Sequence, residues 1–340
     1  EGDGKVDAHR GLADSALAAA DRDNGSHPLH SRGLGGLLER CEQPDIHRLG
    51  AREVFHHLFH GCLDLAHVPY FGSALWPRLP TVVTIHDLIP IVLPLYRGSV
   101  LVRAYTQLVS LAAQRAHAII ADSECSRRDS VKHLGIAAEK VRVIYLGVDE
   151  RYRPVAERAR LEATRQKFKL PASFVLYLGG FDQRKNLLTL IRAFAKVTRG
   201  LGPETSLVIA GRPPETVSPM FPDARALVKE WELLEHVRFI GEVSEEDKPA
   251  LYSLAGCFAF PSLYEGFGLP VMEAMACGAP VIAGAAGSLP EIVGNAGFLV
   301  DPFDVNGLAG ALIASLIDEP LRRGMIERGL AQAAKFTWQQ

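Results

Sequence analysis

Between residues 174 and 284 the sequence repeats one unit: a short, mostly apolar run, a glycine or small residue, then a segment of helical character. The runs are FVLYL (174–178), SLVIA (206–210), VRFI (237–240), CFAF (257–260) and VIA (281–283). Runs this short and this rich in β-branched and aromatic residues suit strands covered on both faces. Strands that alternate with helices form a parallel sheet. Gly179, Gly211, Gly241 and Gly284 each stand just past a run, so they ring one edge of the predicted sheet. In open α/β sheets that carboxyl edge is where ligands gather, and glycine there lets phosphate or ribose lie close to backbone. None of the turns reads G-x-G-x-x-G or G-x-x-x-x-G-K-[ST], so a nicotinamide dehydrogenase and a phosphate-loop ATPase both lose support.

The densest stretch is residues 260–283, FPSLYEGFGLPVMEAMACGAPVIA. It reads as a strand, a glycine turn carrying Glu265, a short helix carrying Glu273, and a second strand. Gly266 and Gly268 leave the backbone open to a close ligand, and Pro270 suits the first turn of the helix. A helix start behind a glycine turn offers free N–H groups and a positive dipole end to an anion.

The first half shows the same alternation more weakly. Residues 81–85 (TVVTI), 118–121 and 141–144 read as strands, 100–116 as a long amphipathic helix, and Ser123 as a helix cap. His86 and Asp87 follow the first of these strands. Residues 150–169 are charged and read as a linker and surface helix. Helices are also expected at 187–198, at 245–255 behind Ser244, at 306–317 and at 321–335, with Asp301 and Asp304 as loop caps. Residues 1–60 are atypical: helices at 12–20 and 34–41 are weakly patterned. The histidines His27, His30, His56, His57, His60 and His67 lack the carboxylate partner and helical spacing of a metal site.

Composition closes several other routes. A chain of 340 residues with 48% hydrophobic and 22% charged residues has room for two packed domains, and this composition argues against wholesale disorder. A net charge of −2 gives no electrostatic case for nucleic acid. Cys41, Cys62, Cys125, Cys257 and Cys277 are scattered and odd in number, which argues against a disulfide framework or zinc site and fits a reducing cytoplasm. No run approaches the roughly 18–20 apolar residues of a spanning helix, and the 89–95 stretch is broken by Pro90 and Pro94. No signal peptide is visible, although the chain opens on Glu1 and not on Met.

Three groups carry candidate chemistry. Arg184 and Lys185, just past a strand, could neutralise a diphosphate whose charge grows as its bond breaks; alone, they are equally a solvated loop pair. Glu265 and Glu273 could each accept two hydroxyl hydrogen bonds; alone, they read as a surface acid and a helix-dipole partner. His86, at a strand end, could donate to a sugar hydroxyl; alone, it is a surface histidine beside a turn-capping Asp87.

The spacing E-G-F-G-L-P-V-M-E at residues 265–273 resembles the E-x7-E motif of the retaining glycosyltransferases of family 4. TVVTIHDLIP, IIADSECSRRDSV, VIYLGVDERYRP, YLGGFDQRKNLLTLIRAF and GAPVIAGAAGSLPEIVGNAGFLVDPFDVNGLA are similar to the same family, so the resemblance runs from about residue 64 to the C-terminus. It implies the GT-B architecture, an α/β fold of two Rossmann-like domains facing a cleft. Residues 1–155 would be the acceptor-side N-terminal domain, here read as incomplete, and 156–340 the nucleotide-sugar-binding domain. By the resemblance His86 faces the transferred sugar and Glu265 binds its hydroxyls, with help from the backbone of Gly266, Phe267, Gly268 and Leu269. Arg184 and Lys185 hold the diphosphate, Glu273 the ribose, and the turn at Gly241 and Val243 lies near the base. Gly180 stands where many relatives carry an arginine. The chain also stops before the helix that returns to the first domain in that family.

The function so implied is metal-independent, cofactor-free transfer of a hexose with retention. HDLIP and RKN look like bacterial polysaccharide mannosyltransferases, which makes mannose from GDP-mannose the expected donor and a glycan or lipid-linked glycan the acceptor. The alternatives are a degenerate or truncated nucleotide-sugar-binding homologue serving as a partner subunit and, disfavoured by the motif spacing, a sugar-phosphate epimerase. The expected location is the cytoplasm. Arg115, Arg127, Arg128 and Lys132 leave a peripheral contact with the inner membrane face open, against the plainer reading of a solvated basic surface.

Overall fold

The computed structural model describes residues 64–72, 75–202 and 204–339. The weak helices at 12–20 and 34–41, His27, His30, His56, His57, His60, Cys41 and Cys62 lie outside the described residues. In chain order the elements are β1 (Ala66–Val68), β2 (Thr81–Ile85), α1 (Ile89–Val92), α2 (Val100–Gln114), β3 (Ala118–Ala121), α3 (Glu124–Leu134) and β4 (Val141–Val143). Then come α4 (Arg158–Lys167), β5 (Ser173–Leu178), α5 (Leu187–Leu201), β6 (Thr205–Ala210), α6 (Ala224–Glu230), β7 (Val237–Gly241), α7 (Lys248–Leu254) and β8 (Cys257–Phe260). The last are α8 (Leu269–Ala276), β9 (Val281–Gly284), α9 (Leu289–Val293), β10 (Phe298–Val300), α10 (Val305–Ile317) and α11 (Glu319–Ala333).

The strands build two sheets, ordered β1-β2-β3-β4 and β10-β9-β8-β5-β6-β7. By contact the described residues fall into two compact units. One holds the residues up to Ile85 with Ala104–Ala121 and Ser130–Arg142; the other holds His86–Arg103, Asp122–Asp129 and everything from Val143 onward.

In the first unit β1, β2 and β3 run parallel, with Ala66 beside Thr81 and Ile85 beside Ala121. Every residue of β2 and β3 is buried, as their unbroken apolar and β-branched sequence requires. His67 is the described member of the six expected histidines. Its Nε2 lies 2.9 Å from Thr84 Oγ1.

In the second unit the six strands are parallel and follow the doubly wound order β7-β6-β5-β8-β9-β10. Alternation along β5 feeds two cores. Phe174 and Leu176 pack on one face with Phe258, Phe260 and Val271, while Val175 and Tyr177 pack on the other with Leu190, Phe194 and Ile209. Helix α5 presents Leu187, Leu190, Ile191, Phe194 and Val197 to the second core at the spacing of one helical face.

Some boundaries depart from expectation. Helix α7 begins at Lys248 and not at 245, because the Ser244 hydroxyl is spent on Asp247 Oδ2 at 2.6 Å and caps no backbone N–H. The short helices α1, α6 and α9 carry too few turns for sequence periodicity to reveal them. The caps are as read: Asp304 Oδ1 accepts from Asn306 and Gly307 N–H at 2.9 Å each, and Asp301 Oδ1 from Phe303 N–H at 2.9 Å. Among the described residues no helix is long and apolar enough to cross a membrane.

Candidate functional site

The doubly wound order reverses direction between β5 and β8, and at such a switch point the two following loops part to leave a crevice. Residues 179–186 follow β5 and residues 261–268 follow β8. Asn186 ties them together. Held in the left-handed conformation at φ 58°, it donates from Nδ2 to Pro261 O at 3.0 Å and to Pro302 O at 2.6 Å. Thr189 Oγ1 donates to Asn186 Oδ1 at 2.7 Å and fixes the amide orientation. Leu263 N–H then donates to Arg184 O at 2.7 Å, and an Arg184 guanidinium nitrogen to Tyr264 O at 3.0 Å.

This frame brings Arg184, Lys185 and Glu265 into one cluster. Lys185 Nζ and an Arg184 guanidinium nitrogen each lie 2.7 Å from Glu265 Oε1. The three side chains are only 11–13% exposed, so these charges are paired largely out of water. Lys185 also stands over the Phe260 ring, 4.8 Å from its centre. Arg184 Nε is 3.5 Å from Asp182 Oδ1, close enough for ion pairing but without hydrogen-bond geometry, and it is a buried donor with no hydrogen-bond partner. Tyr96 holds this turn: its hydroxyl donates to Asp182 Oδ1 and accepts from Arg184 N–H at 3.0 Å. Burial and the Asp182 carboxylate push the Tyr96 hydroxyl up to about 12, so it stays protonated as a donor.

The glycine turn after Glu265 is gripped by protein, which revises the reason for its glycines. A Cβ on Gly266 would stand 2.1 Å from His86 O, and one on Gly268 2.8 Å from Leu289 Cδ2. The space expected for a ligand at Gly266 is taken by the His86 main chain. Gly266 O accepts from Ser123 Oγ at 2.6 Å and Ser126 Oγ at 3.2 Å. Ser126 Oγ also lies 3.0 Å from His86 O. Opposite, the buried Ser288 hydroxyl reaches Phe267 O at 2.6 Å and Glu265 O at 3.1 Å. Glu291 Oε1 and Oε2 accept from the first N–H groups of α3, those of Glu124 and Cys125, at 2.9 and 3.1 Å. His86 Nδ1 itself lies 2.6 Å from Asp122 Oδ2.

Glu273 belongs to a separate cluster. It accepts from the Tyr252 hydroxyl at 3.0 Å, and the Tyr152 hydroxyl beside it donates to Glu245 at 2.6 Å. Burial raises the Glu273 carboxyl above the ordinary glutamate value, against the opposing Lys248 charge and Tyr252 hydrogen bond. The folded state therefore binds this proton more tightly than the unfolded chain does. Stability is full below the ordinary glutamate value and falls as pH rises through it to the raised folded value. Glu273→Gln is expected to melt higher than the parent near neutral pH, with the gain fading below about pH 4, the ordinary carboxyl range. Melting curves across pH check this, and a Gln variant no more stable than its parent at pH 7 contradicts it.

The remaining expected residues take varied places. Gly180 O accepts the Tyr177 hydroxyl. Gly241 ends β7, and its carbonyl accepts from Gly211 N–H at 2.8 Å. Val243 and Phe267 are buried in the core, and Leu269 is 38% exposed at the start of α8. Tyr96, Asp122, Ser123, Ser126, Asn186, Ser288 and Glu291 hold the site without having been read as doing so. Only Asp122 carried a usable signal, standing one residue past a strand as His86 does. Among the described residues no group of three metal-ligating side chains occurs.

Comparison with known proteins agrees with this architecture. Residues 161–332 match the family model of glycosyl transferases group 1, and residues 22–152 match that of Glycosyltransferase Family 4. The serotype-specific mannosyltransferase WbdA of Escherichia coli is 33% identical over 262 residues, covering 76% of this chain and 32% of that protein. The chain thus spans about a third of that relative's length. O-antigen chain mannosyltransferase B of Escherichia coli is 32% identical over 265 residues, covering 76% of this chain and 67% of that protein. Among solved structures, sucrose-phosphate synthase from Thermosynechococcus elongatus superposes with a TM-score of 0.69 at 28% identity, over 84% of this chain and 72% of that one. The two parallel α/β sheets are those of the GT-B fold, and the chain belongs to the glycosyl transferases group 1.

Proposed function

We propose that this chain is a retaining glycosyltransferase that moves a hexose from a nucleoside diphosphate sugar to a hydroxyl of a glycan or lipid-linked glycan. The observation that carries the reading is the convergence of Arg184, Lys185 and Glu265 at the switch point of the second sheet. Two cations that share one carboxylate oxygen are ready to exchange that partner for a diphosphate, which frees Glu265 for sugar hydroxyls. As the bond between the sugar's anomeric carbon and the diphosphate breaks, charge grows on the departing oxygen beside Arg184 and Lys185. The acceptor oxygen bonds to the anomeric carbon on the same face, and its proton passes to the departing phosphate oxygen. Glu265 is a binding carboxylate in this scheme, unlike the paired acid and nucleophile of retaining hydrolases. The two cations take the charge-neutralising part, so the scheme uses no metal, and chelator treatment is expected to leave turnover unchanged.

Mannose from GDP-mannose is the proposed donor, on the strength of the two mannosyltransferase relatives. Glu273 is assigned to the ribose, whose hydroxyls would repay a carboxylate that costs stability when empty. His86 is assigned to the transferred sugar. A thermal-shift panel of GDP-, UDP-, ADP- and dTDP-sugars identifies the donor, since a ligand raises apparent stability by mass action. Labelled GDP-mannose with lipid extract then tests transfer; binding without transfer or hydrolysis would leave only a nucleotide-sugar-binding homologue. His86→Ala is expected to lower turnover more than donor affinity, and unchanged turnover removes His86 from the site. Glu273→Ala is expected to weaken nucleoside diphosphate binding in calorimetric titration, and unchanged affinity removes the ribose assignment.

A further inference from the structure

Strands β2 and β3 are parallel neighbours with Ile85 registered on Ala121. His86 and Asp122 are the next residue on each, one step past the carboxyl edge and in the same phase of the pleat. The register alone therefore sets an imidazole beside a carboxylate, and the structure closes the pair at 2.6 Å between His86 Nδ1 and Asp122 Oδ2. The two partners are unequally placed: the Asp122 side chain is 4% exposed, that of His86 35%. The carboxylate is a fixed anchor, and the half-open ring is held to it through Nδ1. Ser126 Oγ, four residues beyond Asp122, lies 3.0 Å from His86 O. One short segment thus holds both the ring and the main chain of His86.

We propose that Asp122 is a positioning residue that acts through His86. A carboxylate only accepts, so it keeps the hydrogen of the neutral ring on Nδ1 and makes Nε2 the lone-pair nitrogen. It also fixes the ring plane. Resting on the transfer reading above, Nε2 then accepts a hydrogen bond from a hydroxyl of the transferred hexose and holds the sugar over the departing phosphate. Neither Asp122 nor Ser126 touches the substrate.

The test labels the ring nitrogens of the full chain with ¹⁵N and identifies His86 by its disappearance in His86→Ala. In the parent, at a pH high enough to leave the imidazole neutral, His86 is expected as the Nδ1–H form, with Nε2 giving the signal of an unprotonated nitrogen. Asp122→Asn presents an amide N–H to Nδ1 and is expected to reverse the two signals. A parent ring protonated on Nε2 alone overturns the proposal, and that measurement does not depend on how the variant folds. In kinetics, Asp122→Asn is expected to lower kcat by about 10–100-fold, as loss of an orienting partner does elsewhere, with donor KM within about twofold. In the His86→Ala background the same change is expected to cost nothing more. A further full loss there overturns the proposal, because Asp122 would then act by another route. A parent chain inactive with every donor would overturn the transfer reading, while the ring-nitrogen signals would still uphold or overturn the Asp122–His86 assignment.

Discussion

Glu265→Ala is expected to destabilise the second unit by about 3–5 kcal/mol, the usual cost of stranding a buried charge. Both Arg184 and Lys185 lie 2.7 Å from the same Glu265 oxygen and are 13% exposed, so neither can recover its hydration by a small movement. Arg184 keeps Tyr264 O at 3.0 Å and the more distant Asp182, which places the loss toward the lower end. Glu265→Gln keeps the shape and one carbonyl acceptor and is expected to lose less. Denaturant midpoints of the three proteins check the order. An alanine variant within about 0.5 kcal/mol of the parent, the range of ordinary surface substitutions, would show that the cations are not held by Glu265. Adding pyrophosphate is expected to stabilise Glu265→Ala more than the parent, because the diphosphate then meets two uncommitted cations. Equal shifts would count against the diphosphate assignment of Arg184 and Lys185.

Gly266→Ala is expected to be the most damaging single-methyl change in the motif. Its Cβ would lie 2.1 Å from His86 O and 2.8 Å from Asp87 Cβ. The loop cannot retreat, because Gly266 O is held by the Ser123 and Ser126 hydroxyls and the flanking carbonyls by Ser288. Overpacking of this kind costs about 1–3 kcal/mol, occasionally more. The displaced His86 would lose its alignment, so turnover is expected to fall more than stability alone accounts for. Gly310→Ala on α10 is the control: nothing lies within 4 Å of the added carbon, and removing a helical glycine is expected to stabilise by about 0.4–1 kcal/mol. A Gly266→Ala protein with the parent's melting temperature and turnover would mean that the turn and the His86 segment do not pack as described.

Much of this was legible from residues alone because it is governed by local rules. The runs at 174–178, 206–210, 257–260 and 281–283 are strands because each is too apolar for a surface and too short for a helix, while 237–240, with its exposed Arg238, forms the edge strand. At two of them a glycine follows because backbone crowds backbone at the sheet edge: a Cβ on Gly211 would meet Gly179 O at 2.1 Å, and one on Gly284 would meet Ser262 O at 2.5 Å. The caps Asp301 and Asp304 follow from hydrogen bonds that reach no further than three residues. The nearness of Arg184 and Lys185 to Glu265 was expected through family resemblance; no pattern in the residues predicted their shared oxygen.

What residues 260–283 determined by themselves is a strand, a glycine turn carrying Glu265, a short helix carrying Glu273 and a second strand. Which partners each acid meets was decided by tertiary structure. Sheet order puts the loop after β5 against the loop after β8, 80 positions further on, and so gives Glu265 its two cations. Helix phase turns Glu273 toward Tyr252, where burial raises its carboxyl. Strand register, from a part of the chain 143 positions before Gly266, supplies Ser123, and the same register pairs Asp122 with His86. Sequence periodicity encodes which face of an element is buried. It does not encode which element that face meets, because packing is chosen by the summed fit of whole surfaces, and the site is made of such meetings.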